Sequence, residues 1–156
     1  MSDARTLLVT GGSRGIGAAI CRKAAEDGWR VAVNYVSNDA AAAKVVADIE
    51  AKGGEAFAVK GDLGSEEEIL SIYKAIDDRW GRIDVLVNSA GHGPRAPILE
   101  ISDEDWHRGM EVYFLSAVRP ARLVAPIMAE NGGGAFINIS TFAAFEPSEV
   151  FPTSAV

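Results

Sequence analysis

A glycine-rich segment near the N-terminus has the residue types and spacing of a phosphate-binding loop. Residues 10–17 read TGGSRGIG, between an apolar stretch and a stretch with helical spacing. Glycines permit a tight turn and let the backbone approach a pyrophosphate, and the free amides and dipole of a following helix favour its charge. The spacing differs from that of the P-loop, and no Gly-Lys pair is present. We therefore predict that this segment binds a pyrophosphate.

The elements that must position this loop are short strands alternating with longer helices. The predicted strands cover residues 6–10, 31–35, 56–59, 85–87 and 135–139, and the predicted helices cover 16–27, 39–51, 65–80 and 103–130. Continuously apolar strands are typical of a parallel sheet covered by helices on both faces. With right-handed crossovers, this pattern predicts an α/β fold with a doubly wound parallel sheet in a three-layer sandwich.

Helix ends are marked by residues that can accept hydrogen bonds from free amides. Ser65 with Glu68 three residues later predicts a capping box. Ser102 or Asp103 would cap the long helix, and Asp39 would cap the helix that it begins. Cys21 lies on the apolar face of the first helix, where we predict a core position.

Composition narrows the class of protein. The chain has 156 residues, of which 48% are hydrophobic, so we predict one domain over residues 1–156. The 22 acidic residues outnumber the 15 lysines and arginines, which argues against nucleic acid or an anionic membrane as a partner. A single cysteine excludes an internal disulfide, and no Cys/His cluster suggests a metal site. With no leader-like N-terminus and no uninterrupted apolar run of about 18 residues, the sequence predicts a cytoplasmic location.

Over its whole length the sequence resembles the short-chain dehydrogenase/reductase family. The pattern T-G-x-x-x-G-x-G is the family's cofactor motif, and Asp62-Leu63 after the third strand matches the pair that contacts adenine. Residues 88–91, Asn-Ser-Ala-Gly, are similar to the family's N-N-A-G, in which Asn88 would tie neighbouring strands together. Residues 137–141, INIST, resemble the fifth strand that leads to the active-site serine.

The resemblance implies a Rossmann-type sheet of order 3-2-1-4-5 and a nicotinamide-dependent oxidoreductase. Such an enzyme transfers hydride between the cofactor and a small carbonyl or alcohol substrate. The second strand ends at Asn34-Tyr35, where NAD-selective members have a carboxylate, and Ser37 is not acidic either. Arg14 could reach a 2′-phosphate, so we expect NADP(H) to be preferred, with NAD(H) as the alternative. The candidate cofactor-binding residues are Gly11, Ser13, Arg14, Gly15, Ile16, Gly17, Asn34, Tyr35, Ser37, Asp62, Leu63, Asn88, Ala90 and Gly91.

The catalytic residues of the family are not matched in this chain. The family uses a tyrosine as acid, a lysine four residues later, a serine that holds the carbonyl and an asparagine in the long helix. Here Tyr113 replaces the asparagine, and the serine position falls on Thr141 with Ser140 before it. Ser154 stands at the tyrosine position, and residues 141–156 contain no tyrosine. The catalytic candidates are Thr141, Ser140, Tyr113 and Ser154, and Tyr113 has packing or a pocket wall as its alternative role.

These departures leave two alternatives to a working enzyme: a catalytically altered cofactor-binding protein, and one piece of a two-piece enzyme. Family members are longer than this chain, so we expect a domain that is incomplete on its C-terminal side and a complementary C-terminal polypeptide. We also expect a homo-oligomer, a dimer or tetramer, through the helix over residues 103–130. Apolar and small residues recur on that helix at Met110, Phe114, Ala117 and Ala121. His92 and His107 have no metal-type partner at a suitable spacing, and we predict no catalytic role for them.

Overall fold

The computed structural model describes residues 4–91 and 97–141. The first half comprises β1 (Thr6–Val9), α1 (Gly15–Glu26), β2 (Arg30–Tyr35), α2 (Asp39–Glu50), β3 (Glu55–Lys60), α3 (Glu66–Trp80) and β4 (Val85–Asn88). A 3-10 turn (Ile98–Glu100), α4 (Asp103–Gly109), a π-helical turn (Met110–Leu115), α5 (Ser116–Glu130) and β5 (Ala135–Asn138) follow.

The five strands form one parallel sheet in the order β3-β2-β1-β4-β5. Leu8 in the central strand lies opposite Ala32 of β2 on one side and Leu86 of β4 on the other. The predicted α/β fold and its strand order are confirmed. In such a sheet the loops after the strands all lie at one edge, which is where ligands bind.

Alternate residues of each central strand face opposite layers of helices. Val9 and Val33 pack with Cys21 of α1 and Val45 of α2 on one face. On the other face, Leu8, Ala32 and Leu86 pack with side chains of α3 and α5. Burial on both faces explains why the strands are apolar without alternation. It also places Cys21 in the core, as predicted, with no exposed surface.

The helix caps differ from the predictions in two details. The Ser65 hydroxyl accepts from the amide of Glu68 at 3.3 Å, but the Glu68 carboxylate accepts from the amide of Asp62. The capping box is therefore half formed, since Glu68 stabilises the preceding turn. The prediction of Asp39 as a cap is wrong by one residue, because the Asn38 side chain caps α2 and Asp39 is its first residue. Ser102 caps α4.

The helix predicted over residues 103–130 is continuous but not uniformly α-helical. It contains the π-helical turn Met110–Leu115 between α4 and α5. By length and composition this is the one helix in the described part of the chain that could cross a membrane. Its Val124 and Met128 are buried against the sheet, and the hydroxyl of Tyr73 in α3 donates to the carbonyl of Pro120. One side of α5 thus packs on the sheet and on α3.

Candidate functional site

The N-terminus of α1 faces the edge where the strands end, and no side chain caps it. Arg14 stands at the cap position in an extended conformation without a side-chain hydrogen bond. The helices α2, α3 and α4 all have side-chain caps. The amides at the start of a helix have no carbonyl one turn earlier. Their partial positive charge at α1 is therefore left for another acceptor, and a phosphate is suited to it.

Two glycines of the loop are required for different reasons. A Cβ on Gly17 would lie 2.4 Å from the carbonyl oxygen of Gly11, so only glycine allows α1 to pack on the loop. Gly15 has a φ of 53°, in the left-handed region, and a Cβ there would meet open space. The loop is thus held tightly against α1 while its outer side stays open.

Hydrogen bonds join the glycine loop to the neighbouring strand ends. The Thr10 hydroxyl accepts from the amides of Ser89 and Ala90 at 3.0 and 3.1 Å. The amide of Gly12 donates to the carbonyl of Asn34 at 2.8 Å. The loop after β1 is therefore fixed both to the turn after β4 and to the end of β2.

The segment Gly61–Gly64 after β3, which we call the Asp62 turn, is also held by side chains. The Asp62 amide donates to Glu68 Oε2 at 2.8 Å, and the Gly64 amide donates to Asp62 Oδ1 at 2.8 Å. Arg119 of α5 donates to the carbonyl of Gly64 and pairs with Glu111, which lowers the pKa of that carboxyl. Leu63 is buried beneath the turn.

The end of β2 has no carboxylate at positions 34–38. The next acid, Asp39, accepts a hydrogen bond from the Tyr35 hydroxyl at 2.8 Å and lies 3.5 Å from Lys60 Nζ. The hydrogen bond from Tyr35 and the charge of Lys60 lower the pKa of Asp39, and the same hydrogen bond raises the pKa of Tyr35. The nearest carboxylate is thus already engaged by two partners.

These loops enclose one cleft of about 900 Å³ at the edge of the sheet. Its walls come from the glycine loop, the segment after β2, the Asp62 turn and the turn after β4. All the predicted cofactor-binding residues line this cleft except Asn88. The Asn88 side chain donates instead to Oδ1 of Asn138 in β5 at 2.8 Å, so it joins the two strands.

The long helix supplies a wall that the sequence analysis did not identify. The residues concerned are Asp105, Arg108, Glu111, Val112 and Ser116. Asp105, Arg108, Val112 and Ser116 follow one another at spacings of three and four residues, as expected for one helix face, and Glu111 lies beside Val112. The sequence pattern did not reveal this wall, because polar residues at a helical spacing are equally typical of a solvent-exposed helix surface.

Three of the four catalytic candidates are described by the structure, and they are not part of the cleft lining. Ser140 and Thr141 follow β5 and are exposed. Tyr113 lies in the π-helical turn, and its ring packs on Gly91, where an added Cβ would lie 3.0 Å from Tyr113 Cε1. None of the three lines the cleft. Ser154 and His92 lie outside the described residues. His107 is exposed, and no group of acidic, histidine and cysteine side chains within 4–91 and 97–141 could hold a metal ion.

The family assignment follows from comparison of the sequence with known proteins. The family model described as short chain dehydrogenase matches residues 5–153. The chain belongs to the short-chain dehydrogenase family. An uncharacterised oxidoreductase of Methylorubrum extorquens is 38% identical over 99% of this chain and 60% of its own length. A 3-oxoacyl-(acyl-carrier-protein) reductase of Synechocystis is 38% identical over 90% of this chain and 57% of its own length.

Solved structures of this family share the fold. L-sorbose reductase of Gluconobacter frateurii, complexed with NADPH and L-sorbose, is 30% identical with a TM-score of 0.91. The alignment covers 97% of this chain and 57% of that one. Actinorhodin polyketide ketoreductase with NADPH gives a TM-score of 0.91 at 30% identity, covering 98% of this chain and 59% of the other. This chain therefore spans less than two thirds of the length of these relatives.

Proposed function

We propose that this chain is the cofactor-binding part of an NADP(H)-dependent oxidoreductase that acts on a small carbonyl or alcohol substrate. The observation that carries the proposal is the uncapped N-terminus of α1, with its glycine loop, at a cleft of about 900 Å³. A cleft of this size matches the range of small-molecule and cofactor sites. The reductases named above, two of them solved with NADPH, support the same function.

Each wall of the cleft has a role in this proposal. The amides that begin α1 would bind the pyrophosphate. Asp62 and Leu63 would contact the adenine, and Ala90 and Gly91 would line the part of the cleft that takes the nicotinamide. The bound nicotinamide supplies or accepts a hydride. Thr141 or Ser140 would donate a hydrogen bond to the substrate oxygen, since each has a hydroxyl at the end of β5.

The preference for NADP(H) rests on charge. A carboxylate at the end of β2 would repel a 2′-phosphate, and none stands there. Asp39 is held by Tyr35 and Lys60, while the exposed Arg14 lines the cleft with a guanidinium that suits phosphate.

Calorimetric titration of the chain with NADPH and with NADH tests the proposal. We expect NADPH to bind more tightly, and Arg14→Ala to weaken NADPH about tenfold, the loss of roughly one charge-assisted hydrogen bond, with little effect on NADH. Lys23→Ala removes the same charge near the other end of α1 and is the matched control. Tighter binding of NADH, or equal losses in both variants, would contradict the preference.

A non-catalytic cofactor-binding protein is the second candidate. By the sequence resemblance, Tyr113 would replace the family's asparagine. Its ring packs on Gly91, and Tyr113 does not line the cleft. Tight NADPH binding without reduction of any carbonyl substrate, in a protein that includes every part of the enzyme, would favour this function.

We propose two contacts with further polypeptide. Met110 and Phe114 are exposed on the long helix, which supports pairing with a second copy of this chain. Phe136 and Ile137 of β5 are also exposed, which supports a complementary polypeptide beside that strand. Light scattering of the protein and of Phe114→Glu tests the first contact. We expect the molar mass of the variant to fall to that of the monomer, and a monomeric wild type would contradict the contact.

A further inference from the structure

We infer that Asn34 is a positioning residue that holds the Asp62 turn in place for the adenine and makes no side-chain donor contact with the cofactor itself. This inference rests on the proposed function for its ligand. The contact on which it depends, between the Asn34 side chain and the backbone at the end of β3, lies within the chain and can be tested without any ligand.

The side chain of Asn34 is buried, with 1% of its surface exposed, at the end of β2. Its Nδ2 donates to the carbonyl of Val59 at 3.3 Å and to the carbonyl of Gly61 at 3.0 Å. Val59 is its neighbour in β3, and Gly61 begins the Asp62 turn. The amide therefore reaches past the last residue of β3 and fixes where the chain leaves the sheet.

The nitrogen of an asparagine side chain has two hydrogens. Both have carbonyl acceptors within the chain, so neither is left to donate to a bound cofactor. Asn34 lines the cleft but is occupied by the protein. Its effect on a ligand must then pass through the groups that it holds.

Gly61 is fixed from two further directions. Its amide donates to the carbonyl of Tyr35 at 2.9 Å. A Cβ on Gly61 would lie 2.6 Å from Cδ1 of Ile72 in α3, so the turn packs closely on that helix. Because the side-chain amide of Asn34 also donates to the carbonyl of Gly61, the backbone of Gly61 is restrained at both its amide and its carbonyl. This restraint also limits the positions of Asp62 and Leu63, which follow directly in the chain.

The same residue also contacts the other half of the site through its backbone. The carbonyl of Asn34 accepts from the amide of Gly12 in the glycine loop at 2.8 Å. A change of side chain leaves this bond in place. A substitution at position 34 should therefore affect the adenine end of the cleft and spare the phosphate end.

Hydrogen exchange of the ligand-free chain tests the contact itself. In Asn34→Ala we expect the amides of Gly61, Asp62 and Gly64 to exchange at least tenfold faster than in the wild type. Val45→Ala, which truncates a buried side chain of α2 that does not line the cleft, is the stability control. Exchange in the Asp62 turn that is no faster than in this control would overturn the inference. If Asn34→Ala fails to fold, Asn34→Ser, which keeps one donor but cannot reach both carbonyls, gives the same comparison.

Calorimetry with two probes tests the consequence for binding. We expect Asn34→Ala to weaken the binding of 2′,5′-ADP at least tenfold and the binding of inorganic pyrophosphate less than twofold. The affinities of Val45→Ala for both probes should stay within twofold of the wild type. Equal losses for the two probes would overturn the inference, because a general structural defect acts on both. If the wild type binds neither NADPH nor 2′,5′-ADP while the exchange effect is present, the proposed function fails and the positioning role of Asn34 stands.

Discussion

The strands that end at the cleft differ in how deeply their residues are buried. At the ends of β1 and β2, Thr10 and Asn34 are buried, and their side chains form hydrogen bonds within the chain. At β5, all four residues of the strand are exposed. Leu86 and Val87 of β4 are 0% and 1% exposed, whereas their neighbours Phe136 and Ile137 in β5 are 42% and 47% exposed.

This difference separates two kinds of chemistry. Phosphate binding uses backbone amides. A helix N-terminus and a glycine-rich loop present such amides to the ligand. Proton transfer uses particular side chains at particular distances. The groups that we propose for the first kind lie at a well-packed part of the sheet, while the hydroxyls proposed for the second follow the exposed strand β5 and do not line the cleft.

Gly17→Val should have the largest effect on NADPH binding, because it disrupts the glycine loop that we propose binds the phosphates. A Cβ at this position would lie 2.4 Å from the Gly11 carbonyl, so the loop must move away from α1. We expect NADPH binding to fall below detection by calorimetry and the free energy of unfolding to fall by about 1–3 kcal/mol.

Gly28→Ala is the control for this variant. Gly28 has a φ of 86° at the far end of α1, and a Cβ there would meet open space. Its backbone strain costs about 1–2 kcal/mol without touching the cleft. NADPH binding by Gly17→Val at the affinity of Gly28→Ala would show that the loop does not hold the phosphates.

The fold that carries the glycine loop was predicted correctly from the sequence. The apolar strands and the helical spacing carry local signals, so the α/β fold and the core position of Cys21 were predictable from residue patterns. The strand order followed from the family resemblance. The π-helical turn at Met110–Leu115 was not, because one extra residue within a helix changes no pattern of residue types. The two side-chain hydrogen bonds of Asn34 could not be predicted either, since their acceptors lie about 25 residues away, in β3 and in the turn that follows it.

Truncation of facing residues in β4 and β5 should sharpen the comparison. Leu86→Ala removes a fully buried side chain, and we expect it to lower the free energy of unfolding by about 2–5 kcal/mol. Phe136→Ala, its neighbour across the sheet, removes a side chain that is 42% exposed and should cost clearly less. Urea denaturation of both variants of this chain measures the difference, and equal losses would show that β5 is as well packed as β4.

The buried thiol of Cys21 gives a test of the core beneath the glycine loop. Burial raises the pKa of Cys21 from 9.0 to about 12. The folded state therefore keeps its proton between these values while the unfolded state loses it. The contribution of Cys21 to stability should be constant below pH 9 and fall by about 1.4 kcal/mol per pH unit between pH 9 and the folded-state pKa. Urea denaturation at pH 8 and pH 10.5 measures the loss, which should be about 2 kcal/mol smaller in Cys21→Ala. The same pH dependence in both proteins would contradict a buried thiol.

Tyr113→Phe should have the smallest effect, and it tests the catalytic side of the comparison. The ring of Tyr113 packs on Gly91, and this contact needs the aromatic carbons rather than the hydroxyl. We expect the phenylalanine variant to keep its melting temperature and its affinity for NADPH within twofold. Tyr113→Ala removes the ring as well and should lower the free energy of unfolding by about 2–4 kcal/mol. This is less than for a fully buried aromatic residue, because the ring is half-buried. Thermal melting and calorimetry separate the two roles of this side chain. A tenfold or greater loss of turnover in Tyr113→Phe, with NADPH affinity unchanged, would instead assign chemistry to the phenol and bring the long helix into the catalytic part of the site.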